Sequence, residues 1–248
     1  MFYWQNRTGP VVWAFTDRDA ADGRAQFGSL NLGSHVGDDP HRVQANRERV
    51  ARALGMDPAR LLFMDQHHGR DVAVVDGPCN DGDSAPAVDA LVTATPGLAL
   101  AALVADCTPV LLADVAAGVV GAVHAGRPGM TLRVVDEAVS RMRDLGARSI
   151  TSVVGPSICG RCYEVPEELR SQAAAVSPVS ATVSWRGTPA VDVAAGVVSQ
   201  LVAQGVAVRW VAGCAREDAR LYSYRRDGRT GRFAGIVALG LPGGPDAT

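Results

Sequence analysis

Leu98-Ala99-Leu100-Ala101-Ala102-Leu103-Val104-Ala105 runs without a charge as far as Asp106-Cys107-Thr108. It resumes as Pro109-Val110-Leu111-Leu112-Ala113 and, beyond Ala116-Ala117-Gly118, as Val119-Val120-Gly121-Ala122-Val123-His124. Apolar runs separated by breaks of turn length read as buried strands. Working outward, residues 11–16 read as an early strand, and 61–64, 72–75, 150–154 and 206–211 as further short strands. Residues 221–224 and 233–239 are expected to pair as a final hairpin across 225–232. A helix is expected from 40 to about 54, with Asp39 as its cap, Pro40 in its first position and Gly55 as its stop. Residues 131–145 keep helical spacing through Leu132, Val135, Val139 and Met142. Residues 166–175 and 192–204 complete the helices, the last capped by Asp192 and closed by Gly205. Strands that cluster, with helices between only some of them, argue for α+β rather than a doubly wound sheet. No stretch is long or polar enough to be a linker, so 1–248 is read as a single domain whose tail, 242–248, frays.

The 248 residues are 47% apolar and 20% charged, which supports a buried core and excludes a disordered chain. Twenty-four basic against 26 acidic residues argues against a nucleic-acid partner or a membrane surface held by bulk charge. No run reaches the roughly 18 apolar residues of a membrane span. Every basic residue other than histidine is arginine, so Schiff-base chemistry on a lysine is excluded. Met1-Phe2-Tyr3-Trp4-Gln5 carries neither a basic n-region nor a cleavage site, and a cytoplasmic protein is expected. An odd cysteine count (Cys79, Cys107, Cys159, Cys162, Cys214) disfavours a disulfide framework.

Potential metal ligands sit where apolar runs stop: Asp65-Gln66-His67-His68-Gly69, Ala105-Asp106-Cys107 and Ala122-Val123-His124-Ala125-Gly126. Two imidazoles and a thiolate make a standard three-ligand zinc site with a fourth position open. Zinc there lowers the pKa of its water to about 7. The competing reading is that Cys107 and His124 are satisfied core residues. A blue-copper site draws on the same residue types. Its ligands crowd one loop, whereas here a whole hairpin separates Cys107 from His124, so copper fits less well.

Other signals are weaker. Val43, Val50 and Leu54 mark the buried stripe of the 40–54 helix, and Asn46 and Arg47 fall on the same face. They either bind backbone carbonyls and carboxylates or line a pocket for an anion. Arg225 and Arg226, before the Asp227-Gly228 turn, are either solvated or hold phosphate bidentately. Arg127, in Gly126-Arg127-Pro128-Gly129, stands where an anion could meet the start of a helix. Cys159-Gly160-Arg161-Cys162 is a C-x-x-C without the second C-x-x-C of a zinc ribbon, and reads as structural or incidental.

Taken in order, these blocks resemble the family variously called multicopper polyphenol oxidase (laccase-like), laccase-domain purine nucleoside phosphorylase and peptidoglycan-editing factor. The matching segments are Asn31-Leu32-Gly33 with His35 to Asp39, Asn46-Arg47, Gln66 with His68-Gly69, and Asp89-Ala90-Leu91-Val92-Thr93. They continue through Ala105-Asp106-Cys107, residues 109–114, His124-Ala125-Gly126, Gly155-Pro156 with Cys162-Tyr163-Glu164-Val165, and Ser223 to Gly228 with Thr230-Gly231-Arg232. The resemblance implies a single α+β domain of mixed sheets sandwiched by helices, acting as a monomer or weak homodimer. It implies one zinc ion on His68, Cys107 and His124. It also implies phosphorolysis of adenosine, inosine and methylthioadenosine, and deamination of adenosine. Two segments depart from the family pattern. His-Ala-Gly-Trp-Arg-Gly is here His124-Ala125-Gly126-Arg127-Pro128-Gly129, without the tryptophan. Gly-Pro-Cys-Ile-Gly-x-Cys-Cys-Tyr is here Gly155-Pro156-Ser157-Ile158-Cys159-Gly160-Arg161-Cys162-Tyr163, with its cysteines redistributed.

Deamination needs a water activated for attack at C6 and a carboxylate to move protons, for which Asp106 is the candidate. Phosphorolysis needs phosphate beside the anomeric carbon. Arg47 and Arg226 are the candidates, with Asn46 positioning substrate and Arg127 reaching the space of the family's arginine. Alternatives from other classes are a metal-free cysteine hydrolase editing a peptidoglycan precursor, with Cys107 as nucleophile and His124 as base, a copper polyphenol oxidase, and a non-catalytic binding protein.

Overall fold

A computed structural model describes residues 1–18, 26–78 and 85–241. In chain order, β1 (Phe2–Thr8) and β2 (Val11–Thr16) precede α1 (Pro40–Ala53). Then come β3 (Leu61–Leu62), β4 (Val72–Val74), β5 (Ala90–Thr93), β6 (Ala99–Val104), β7 (Thr108–Asp114) and β8 (Val119–Ala125). The second half holds α2 (Arg127–Thr131), α3 (Val134–Asp144), β9 (Thr151–Val154), α4 (Glu167–Val176), β10 (Ala181–Val183) and β11 (Pro189–Val191). It ends with α5 (Val193–Ala203), β12 (Ala207–Trp210), α6 (Tyr224–Asp227) and β13 (Phe233–Leu239).

The strands form a five-stranded sheet, β1-β2-β13-β6-β3, a six-stranded sheet, β12-β9-β7-β8-β5-β4, and a small β10-β11 pair. Both large sheets mix parallel with antiparallel neighbours. Side-chain alternation explains how they stack. Along β6, Leu100 and Ala102 meet Leu111, Ala113, Val120 and Ala122 of the six-stranded sheet. Ala99, Ala101 and Leu103 point the other way, onto Val50, Ala51 and Leu54 of the α1 region. Along β7, Val110 and Leu112 pack with Val134, Ala138, Val139, Val197 and Leu201 of the helices beyond the second sheet. The order of layers is therefore α1, sheet, sheet, then α2 to α5. Central strands covered on both faces have no polar alternation, which is why the 98–126 stretch is almost uninterruptedly apolar. The fold is α+β, as expected.

Two caps expected from sequence are present: Asp39 accepts the His41 N–H at 2.9 Å and Asp192 the Ala195 N–H at 2.9 Å. The β7–β8 hairpin is also present, turning at Gly118 with φ +64°. Three expectations need correction. The helix expected over 131–145 begins only at Val134, after Arg133 at φ +62°, and a separate short helix, Arg127–Thr131, precedes it. The 221–239 segment is no hairpin: Tyr224–Asp227 is helical, and β13 runs between β2 and β6. There the apolar run after Arg232 completes a sheet whose other strands come from far upstream, and local spacing carried no sign of it. Phe2–Thr8 and Ala90–Thr93, neither expected, are strands. The expected frayed tail, 242–248, and Cys79 lie outside the described residues. No helix among the described residues is long and apolar enough to cross a membrane.

Candidate metal centre and its cavity

Cys107 sits where the chain leaves the five-stranded sheet at the end of β6 and enters the six-stranded sheet at β7. The crossing is tight enough to put Asp106 at φ +92°, a conformation that side chains rarely adopt and that must be held by its surroundings. His124, near the end of the neighbouring β8, is paired in register with Pro109 and so lies beside the crossing. His68 comes from the loop between β3 and β4, also at a positive φ, +62°. That loop is tied to the end of β6 by the Gln66 amide, which donates to the Leu103 carbonyl at 2.7 Å and accepts the Leu103 N–H at 2.8 Å.

The three donor atoms of His68, Cys107 and His124 lie within 4.8 Å of one another. Cys107 Sγ and His68 Nε2 are 3.6 Å apart. A tetrahedral zinc, with Zn–S about 2.3 Å and Zn–N about 2.05 Å, holds sulfur and nitrogen about 3.6 Å apart, so the donors fit the ion. His67 does not join them. Its Nε2 faces Asp71 at 3.2 Å, on the solvent side.

Asp89 organises the centre, and it received no role from the sequence. Its fully buried carboxylate accepts His124 Nδ1–H at 2.8 Å and the backbone N–H groups of His68 at 3.0 Å, Gly69 at 2.6 Å and His67 at 3.3 Å. With Nδ1 protonated by this bond, Nε2 of His124 is left as the donor toward the ion, the usual arrangement behind a metal-bound histidine. Burial pushes the Asp89 pKa up, but the bonds from His124, Gly69 and His68 outweigh it and hold the carboxyl at about 2. Burial likewise opposes the Cys107 thiolate, yet the adjacent His124 and His68 bring the thiol down to about 6. Cys107 and Asp89 in turn raise His124 to about 9 against its own burial. The available signal for Asp89 was a carboxylate heading the apolar Ala90-Leu91-Val92 run, since a buried charge requires partners.

The donors face a cavity of about 430 Å³ lined among others by His35, Asp106, Arg127, Tyr163, Arg225 and Arg232. Arg225 lies over the Tyr163 ring at 5.1 Å, and Arg232 donates to the carbonyls of Thr230 and Gly231 at 2.9 and 3.0 Å. The remaining expected site residues sit differently. Asn46 donates to the Asn31 carbonyl at 3.0 Å. Arg47 donates to the Leu32 carbonyl at 2.9 Å, with its guanidinium 3.9 Å from the centre of the Phe63 ring. Arg226 spends its guanidinium on the carbonyls of Ala215 (2.8 Å) and Leu221 (2.7 Å) and on Asp227. None of the three is among the cavity-lining residues. Asp106 lines the cavity, but its two oxygens already accept Ser223 Oγ–H at 2.6 Å and Arg225 N–H at 2.7 Å. Burial raises its pKa against those bonds.

Stacked mixed sheets flanked by helices, with a His/Cys/His donor set that could hold a metal ion at the crossing between them, define an α+β protein with a candidate metal centre beside a substrate-sized cavity. The chain belongs to the multi-copper polyphenol oxidoreductase laccase family, whose model matches residues 12–240. It is 57% identical over 243 residues to a Streptomyces griseus protein named purine nucleoside phosphorylase ORF3, covering 95% of this chain and 98% of that one. It is 43% identical to a purine nucleoside phosphorylase of Corynebacterium glutamicum, with 94% and 96% covered. Among solved structures it resembles YlmD from Geobacillus stearothermophilus, with a TM-score of 0.85, 29% identity and 96% and 98% of the chains covered. The hypothetical protein YfiH of Bacillus licheniformis matches with a TM-score of 0.83, 29% identity and 92% of each chain covered.

Proposed function

We propose that the protein is a zinc-dependent purine nucleoside phosphorylase that also deaminates adenosine, acting on adenosine, inosine and methylthioadenosine. The observation that carries this reading is a three-donor site, one ligand short of a closed zinc shell, opening onto a cavity with arginines on its walls. The names of the relatives support it. His68, Cys107 and His124 would hold the ion, which when bound supplies Lewis acidity and activates water at neutral pH.

The remaining work falls to the chain's own residues. Arg127, Arg225 and Arg232 hold phosphate, because charge-assisted bonds from guanidinium groups match its oxygens. Phosphate oxygen forms the new bond to the anomeric carbon as the glycosidic bond to the purine breaks. Tyr163 and Tyr224 offer aromatic surface for the base. Asp106 positions Arg225 and the start of α6. Asn46 and Arg47 fix the 31–34 loop, and Arg226 fixes the 215–221 segment.

The test is zinc-restored protein supplied with each nucleoside, with and without phosphate, while free base and inosine are followed by chromatography. Base release should depend on phosphate. Arg232→Met should raise the phosphate KM about tenfold or more, the equivalent of one charged hydrogen bond, and leave phosphate-independent deamination largely intact. No turnover of any nucleoside by zinc-loaded protein would end the reading.

A second reading is favoured by the Cys107–His124–Asp89 line, which has the order of a thiol, its base and the base's orienting carboxylate. It is a metal-free cysteine hydrolase acting on a peptidoglycan precursor. Activity that survives complete chelation and is abolished by alkylation of Cys107 would select it. Elemental analysis separates zinc from copper in either case.

A further inference from the structure

A second group of donors lies apart from the first. Cys159, Cys162, Cys214 and Glu217 place three sulfurs and a carboxylate oxygen within 4.8 Å of one another. We propose that these four side chains form a closed, structural zinc site, so that the protein carries two zinc ions of different kinds.

The backbone brings two turns face to face. In one, the N–H groups of Cys162 and Tyr163 return to the Cys159 carbonyl at 2.9 and 3.1 Å. In the other, the N–H groups of Glu217 and Asp218 return to the Cys214 carbonyl at 3.1 and 2.8 Å. Ser157 and Cys214 are joined as a parallel bridge, with the Ala215 N–H donating to the Ser157 carbonyl at 2.9 Å. Each turn therefore presents a donor at its first and fourth positions. Cys159-Gly160-Arg161-Cys162 lacked a second C-x-x-C, but Cys214-Ala215-Arg216-Glu217 fills that place with a carboxylate for the last thiolate.

Three features favour a cation. The spacing suits zinc: ligands at about 2.3 Å for sulfur and 2.0–2.2 Å for oxygen lie about 3.5–3.8 Å apart around a tetrahedron. Cys162 Sγ and Glu217 Oε1 are 3.3 Å apart, close to that range. The Cys159 N–H points at Cys214 Sγ at 3.4 Å, a donor that steadies a thiolate rather than a thiol. Finally, Glu217 is held in place by Trp185 Nε1–H at 3.2 Å. Thiolates with one carboxylate select zinc over the harder magnesium and calcium. Four protein ligands leave no open position, which makes the site structural, in contrast to the three-ligand centre.

Its place in the fold gives it a task. Ile158 and Tyr163, on either side of the cysteine pair, line the cavity of the first site. An ion clamping 159–162 to 214–217 would hold that wall still.

The test begins with the folded wild-type protein. Grown with zinc and purified without chelator, it should contain two equivalents of zinc per chain. Cys159, Cys162 and Cys214 should resist iodoacetamide until a chelator is added. A variant with His68→Ala and His124→Ala should keep one zinc with the same alkylation pattern, whatever the nucleoside assays show. Cys214→Ser should lose one zinc and melt at lower temperature. Glu217→Gln changes an exposed side chain and should fold, but release its second zinc to a chromogenic chelator at least tenfold faster. One zinc in the wild type and none in the His68, His124 variant would overturn the proposal. So would a disulfide among these cysteines in protein isolated without oxidant, or copper or iron in place of zinc.

Discussion

Replacing Asp89 with asparagine tests how the metal centre is built. The substitution keeps the shape of the side chain and removes its charge. Asp89 accepts four N–H groups with two oxygens: His124 Nδ1 and His68 N on Oδ1, and Gly69 N and His67 N on Oδ2. An asparagine can keep its oxygen toward His124, but its NH2 then faces the N–H groups of Gly69 and His67, donor against donor. Losing a hydrogen bond to a charged acceptor costs about 1.5–3 kcal/mol, and a buried donor left without a partner about 1–3 kcal/mol. Because the lost bonds share one loop, the two do not add fully, and about 2–4 kcal/mol of folding stability is expected to go. Zinc affinity should fall about 10- to 100-fold, the usual effect of removing the group behind a metal-bound histidine. That is about 1.4–2.7 kcal/mol, close to one charged hydrogen bond. Competition with a chromogenic chelator reads the affinity, and urea unfolding of metal-free protein reads the stability. A folded Asp89→Asn protein with zinc affinity within twofold of wild type would refute the argument that this carboxylate sets the centre.

Other expectations follow from the same geometry. A Cβ at Gly126 would lie 2.6 Å from His68 Cδ2 and 3.2 Å from Cys107 Sγ. Gly126→Ala should therefore displace the donors and cut bound zinc well below one equivalent at the first site, as measured by elemental analysis of a Cys214→Ser background. In metal-free protein between about pH 6 and 9, Cys107 is a thiolate and His124 an imidazolium. Zinc must expel the His124 proton, so affinity rises with pH up to about 9 and falls more steeply below about 6, where Cys107 also takes up a proton. Calorimetry in buffers of different ionisation enthalpy at pH 7.5 should show about one proton released from this pair, and none released would contradict the assignment. Arg47→Ala removes a half-buried guanidinium whose pKa desolvation has lowered to about 10, its bond to Leu32 and its stacking on Phe63. It should lower stability by about 2–4 kcal/mol and depress phosphorolysis and deamination alike. A selective rise in phosphate KM, with unfolding unchanged, would return Arg47 to substrate binding.

Much was legible in the residues themselves. The central β7–β8 hairpin, the two aspartate caps and the α+β class follow from apolar runs, turn chemistry and capping, which act within a few residues. His68, Cys107 and His124 were marked as polar groups ending apolar runs. Their meeting was implied by the family resemblance and not by local spacing, because it depends on the crossing from one sheet to the other at Asp106-Cys107 and on the Gln66–Leu103 pairing that holds a distant loop. The same limit concealed Asp89, whose partners lie on segments about 20 and 35 residues away, and the short helix Tyr224–Asp227, where Tyr224 read as the end of a strand and 225–227 as part of a hairpin turn. Arginine shows the division most clearly. Sequence marks Arg47, Arg127, Arg225 and Arg226 as cations near apolar segments. Only the packed chain determines that Arg47 and Arg226 turn to backbone carbonyls while Arg127, Arg225 and Arg232 line the cavity. A guanidinium satisfies itself with whatever acceptors the fold brings within reach, and those acceptors come from remote parts of the chain. Local spacing set the elements and the donor types. Long-range packing decided which donors converge, because convergence is a property of sheet order and register rather than of neighbours in sequence.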